Sequence, residues 1–184
     1  MNPDRCADFR HHAGFTLIEM LLVVVLIGIV TSVAIPSVVR ARGAAMEAST
    51  IASLRLIHGA QAAYATSCAS GFYAPSIPWL SRAPASGGPA FIGREFTTDT
   101  TDRQGYRIRF SAGPRAATAP RTCNGLAPRL AVRDFFVEAG PIMASAGLVT
   151  RYFGVMTAGT IYQSTRRVRP IFTGTPPPPA RPIQ

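Results

Sequence analysis

The feature that most constrains this chain is an unbroken apolar run, residues 15–35, whose single charge is Glu19. At about 1.5 Å of rise per residue such a run spans roughly 31 Å as an α-helix, the thickness of a bilayer's hydrocarbon core. It is longer than the ~7 to 15 apolar residues of a cleaved signal peptide, so it is expected to stay with the protein as a helix. Residues 1–14 carry no apolar periodicity and read as a flexible leader. Arg5 and Arg10 are offset there by Asp4 and Asp8, and Arg40 and Arg42 stand beyond the other end of the run, so charge counting alone does not orient it.

Within the run Gly28 weakens a helix and Pro36 removes a backbone donor, which makes the stretch between them its least secure part. Helix formers resume after Pro36. Ile51, Leu54, Ile57, Gln61, Tyr64 and Cys68 recur at three- and four-residue steps and share one face, with Arg40, Glu47 and Arg55 directed elsewhere. A single helix from Phe15 to about Thr66 is therefore expected. Residues 71–104 are expected to be a Pro, Gly, Ser and Thr loop with one short helical turn at residues 76–80. Tyr106-Arg107-Ile108-Arg109-Phe110 alternates as a half-buried strand does, residues 132–139 read as a second strand, and residues 151–156 and 160–164 flank a three-residue hairpin loop.

These elements make an α+β chain: a long N-terminal helix, apolar and membrane-spanning in its first half and amphipathic in its second, packed on a small antiparallel sheet of three or four strands. The expected division is a leader at 1–14, a spanning helix at 15–36, a globular domain at 37–165, and an Arg- and Pro-rich disordered tail at 166–184.

The positive charge is all arginine, and from Arg40 onward 17 Arg face six acidic residues, a net of +11. That balance fits an anionic partner such as nucleic acid or lipopolysaccharide, and equally a solvated basic surface, because the arginines are mostly scattered singly. Cys68 and Cys123 are an even pair in the soluble part, consistent with a disulfide in an exported domain or with two free thiols in a reducing one. Beyond the leader His58 is the one histidine. No phosphate loop, nucleophile elbow or metal-ligand spacing is present, so no catalytic residue, cofactor or metal is expected.

Gly14-Phe15-Thr16-Leu17-Ile18-Glu19, the apolar run that follows, and Gly28 and Pro36 within it resemble the N-terminus of a bacterial type IV pilin or pilin-like subunit. Where a basic residue commonly precedes the glycine, this chain has His11-His12-Ala13. The resemblance implies the pilin fold, cleavage between Gly14 and Phe15 by a prepilin peptidase, and methylation of the new Phe15 amine. It also implies residence in the inner membrane with a periplasmic C-terminal domain, then extraction by an assembly platform and ATPase system into a filament of like subunits. Glu19 would meet the Phe15 amine of its own or a neighbouring helix and set the register of assembly. Residues 28–36 would lose helicity as the filament forms. A type II secretion pseudopilin and a minor pilin binding DNA in uptake are the alternatives.

Overall fold

The protein is described by a computed structural model covering residues 14–142, 151–172, 174 and 176–183. Internal contacts divide the chain into two compact units, Met1–Arg40 and Ala41–Gln184, a boundary four residues beyond the expected one at Pro36. One helix, α1 (Leu17–Ser67), contributes to both.

In the first unit every described residue, from Gly14 onward, is exposed. The helix runs through Gly28 and Pro36 without a break. Proline has no N–H, so the Ser32 carbonyl lacks its usual amide donor one turn on. The hydroxyls of this segment are spent on its own backbone: Thr31 Oγ1 donates to the Ile27 carbonyl at 2.8 Å, Ser32 Oγ to Ile29 at 2.7 Å, and Ser37 Oγ to Ala34 at 2.8 Å. That pairing removes the penalty a bare hydroxyl would carry in an apolar medium.

In the second unit the remainder of α1 buries Leu54, Ile57, Gln61 and Tyr64, and Cys68 just beyond its end is buried too, as the stripe requires, while Ile51 is half-buried. A short helix α2 (Ile77–Leu80) follows. A six-stranded antiparallel sheet comes next: β1 (Thr100–Arg103), β2 (Tyr106–Ala112), β3 (Phe135–Pro141), β4 (Tyr152–Met156), β5 (Ile161–Ser164) and β6 (Arg181–Pro182). Spatial order follows chain order.

The sheet is wider than the three or four strands expected, for two local reasons. β1 is polar (Thr100-Thr101-Asp102-Arg103) and shows no apolar alternation, but Gln104 and Gly105 both take positive φ, 46° and 80°, and close a two-residue hairpin onto β2. β6 comes from the segment expected to be a disordered tail. It pairs with Tyr162 and Gln163 of β5, and the Ile183 amide donates to the Ile161 carbonyl at 2.8 Å. The same segment buries Val168 against Phe136, Met156 and Tyr162, with Ile171, Phe172 and Ala180 packed at the margin. Its few apolar residues, spaced among prolines and arginines, thus cover a sheet face rather than remaining extended in solvent.

The inner face of the sheet, through Tyr106, Ile108, Phe110, Phe135, Val137, Ala139, Phe153 and Val155, shares one core with Leu54, Ile57 and Tyr64 of α1. The outer face meets the C-terminal segment. Between these layers β3 is buried at five consecutive positions, Phe135 through Ala139, as a strand covered on both sides must be.

Candidate functional site

The N-terminal turn is built by Thr16. Its carbonyl accepts from the Glu19 amide at 3.1 Å and the Met20 amide at 3.3 Å, and its hydroxyl accepts from the Glu19 amide at 3.3 Å. Thr16 therefore caps α1 and Glu19 occupies the third helical position, the spacing of a capping box. A carboxylate there also meets the positive end of the helix dipole. Gly14 precedes this turn, and a side chain placed on it would meet nothing within 4 Å. The local fold does not require glycine at that position.

Downstream the apolar surface is large and bare. Phe15 is 69% exposed, Leu17 83%, Val33 74% and Ile35 62%. The helix that carries this surface is long and apolar enough to cross a membrane. Gly28 has no neighbour that a Cβ would strike, so packing within the described chain does not explain it either.

The head is held by three devices clustered at the C-terminal end of α1. Gln61, fully buried, grips the loop backbone with both ends of its amide: Nε2 donates to the Ala74 carbonyl at 3.0 Å and Oε1 accepts from the Ala74 amide at 2.9 Å. Cys68 and Cys123 form a disulfide across a sequence separation of 55. Beside it the Asn124 side chain donates to the Trp79 carbonyl at 2.6 Å and accepts from the Thr122 hydroxyl at 2.7 Å, with the Tyr64 hydroxyl at 3.4 Å. Burial raises the Tyr64 phenol above its ordinary value, against a smaller opposing hydrogen bond with Thr122.

His58 is half-buried beside the Phe135 ring at a centroid distance of 5.9 Å, with Nε2 3.2 Å from the Thr157 carbonyl. It braces the β4–β5 hairpin, whose Gly159 sits at φ +83° with the imidazole only 3.0 Å from where a Cβ would stand. A packing role accounts for all its contacts. Among the described residues no group of three or more His, Cys, Asp or Glu side chains is placed to hold a metal ion.

Two features of the head were not anticipated from sequence. Glu138, the lone acid of β3, is buried on the outer face and takes Arg167 of the C-terminal segment through Nε at 3.1 and 3.2 Å to its two oxygens, with Arg109 of β2 at 3.4 Å. The signal for it was a single carboxylate in an otherwise apolar strand, opposite the outward arginines of β2. Tyr106 is fully buried at the end of the inner core, and its hydroxyl has no hydrogen-bond partner among the described residues. Burial, helped by the charge of Glu47, pushes its phenol well above the ordinary range.

Residues 9–35 match the family described as the prokaryotic N-terminal methylation motif, which is characteristic of type IV pilins and pseudopilins. No curated protein and no solved structure matches the chain.

Proposed function

We propose that the chain is a structural subunit of a type IV pilus or a related filament. The observation that carries this reading is the coincidence of the methylation motif with a bare apolar helix whose lone carboxylate sits in its first turn. A peptidase cutting after Gly14 accounts for a glycine the fold itself does not need, and it leaves Phe15 as an exposed N-terminal residue whose amine a methyltransferase activity can reach. Leader residues 1–14 are then lost and the helix holds the subunit in the inner membrane with its head in the periplasm. An assembly platform and ATPase system draws it into a filament of identical and related subunits.

Glu19 is the register device. An ionised carboxylate at depth costs about 2.5 to 3.5 kcal/mol on insertion scales, so a helix bundle favours the stagger in which each Glu19 meets an amine of Phe15. Cutting at Gly14 creates that amine one helical turn away. Residues 28–36, where proline removes a backbone donor and glycine lowers helix propensity, are where it would extend on assembly. Because pseudopilins carry the same motif, a secretion-system filament remains the second reading, and the genomic neighbours decide between them: a retraction ATPase or a secretion cluster.

Mass spectrometry of the subunit from purified filaments tests the processing. The expected chain begins at Phe15 with one added methyl group, and an intact Met1 terminus refutes it. Glu19→Gln tests the register: membrane insertion persists and filaments fail, whereas normal filaments remove that role.

A further inference from the structure

We propose that a cleft on the outer face of the sheet binds a small oxyanion, a phosphoryl or sulfuryl group. Pairing register assembles it. One row across the outer face reads Asp102, Arg107, Gly140, with the Tyr152 ring beside Gly140, and the adjoining row reads Arg109, Glu138, Gly154. At 140 a Cβ would stand only 3.0 Å from the Tyr152 ring, so glycine there lets the ring lie close as a wall of the cleft. Arg167 and Val168 of the C-terminal segment form the opposite wall.

The volume of the cleft is about 170 Å³. That equals roughly six waters at ~30 Å³ each, and it falls below the ~300 Å³ at which pockets begin to hold whole small molecules. Size therefore suits one small charged group with a little water.

Charge selects its sign. Three guanidiniums line the cleft against one carboxylate, Glu138, whose side chain is only 5% exposed. Arg167 occupies that carboxylate with Nε and Nη2 together. Arg109 touches it through Nη1 alone at a long 3.4 Å, leaving its other donors unspent on any described side chain. Arg107 is held from outside the cleft by Asp102, which takes Nε and Nη2 at 2.7 Å each. Asp102 thus fixes the guanidinium plane while Nη1 stays available. Arg107 and Arg109 thus line one cleft with guanidinium donors beyond those that their acids take, the chemistry that a tetrahedral oxyanion accepts.

The test uses the full chain in neutral-detergent micelles, titrated with inorganic phosphate and, separately, with glycerol 3-phosphate, against chloride at matched ionic strength. Unfolding midpoints and calorimetric titration report binding. The expected result is a saturable upward shift with phosphate and none with chloride. Arg109→Ala weakens binding about tenfold, the loss expected for one charged hydrogen bond. Arg109→Lys, which keeps the charge but loses the fork, falls between. Arg55→Ala, on an exposed face of α1, binds as the wild type does, and Glu138→Gln binds more tightly because it removes the one opposing charge. Equal or tighter binding of the ester identifies an esterified group such as a lipid headgroup, and preference for free phosphate identifies the ion itself. A non-saturating response, an equal response to chloride, or an Arg55→Ala loss matching that of Arg109→Ala overturns the proposal.

Discussion

Tyr106 and Gln61 show how differently two fully buried polar side chains can bear on stability. The Tyr106 hydroxyl has no partner, so Tyr106→Phe removes a desolvation cost and is expected to stabilise the head by about 1 kcal/mol in chemical denaturation. It also changes alkaline behaviour. The folded phenol ionises above its unfolded value near 10, so its contribution is present below pH ~10 and is lost as pH rises beyond it. Wild type should therefore lose stability more steeply above pH ~10 than Tyr106→Phe, and a fluorescence-monitored denaturation series across that range checks it. Gln61 is the reverse case. Gln61→Leu strands both the amide and the carbonyl of Ala74, and a loss of about 2 to 4 kcal/mol is expected in the same assay.

Among the elements, the disulfide and the C-terminal segment carry the most. Cys68 lies just beyond the last residue of α1, and its own carbonyl also accepts from the Cys123 amide at 3.1 Å, so the loop between them is anchored by covalent and backbone links at one point. Replacing Cys123 with serine should lower unfolding free energy by about 4 kcal/mol on the chain-entropy account, read from denaturation with and without reductant. Deleting residues 166–184 should leave the inner core and uncover Phe136, Met156 and Tyr162, seen as dye binding to apolar surface and a lower unfolding midpoint. Unchanged dye binding would mean that the segment does not shield that face in solution.

These elements also mark what the sequence disclosed. The amphipathic stripe of α1 and the alternation of β2 were legible because burial on one side leaves a period that can be counted. β1 was not, because an edge strand needs no apolar face and its hairpin rests on a Gln-Gly pair instead of the usual Asn-Gly. β6 was hidden for another reason: Pro and Arg dominate its segment, and what orders it is a long-range contact with Glu138 and Phe136 that local composition does not encode. The N-terminal candidates were readable as a motif, whereas the outer-face arginines acquire meaning only from pairing register.

At the scale of the whole molecule, the two units are built for different surroundings. Ala41–Gln184 buries an apolar core within itself, while the described part of Met1–Arg40 buries none. The charge follows the same division, with the arginine excess confined to the second unit and its margin. Detergent removal should therefore drive the full chain to associate, whereas a chain beginning at Ala41 is expected to stay monomeric, a difference that light scattering resolves.

The hydroxyls of Thr31, Ser32 and Ser37 add one property to that bare helix. Because each is bonded to a carbonyl of its own turn, the segment presents no donor that must be exchanged when lipid is replaced by protein around it. These three hydroxyls are therefore indifferent to which apolar medium surrounds them, and exchanging one medium for another around them is a matter of shape and area.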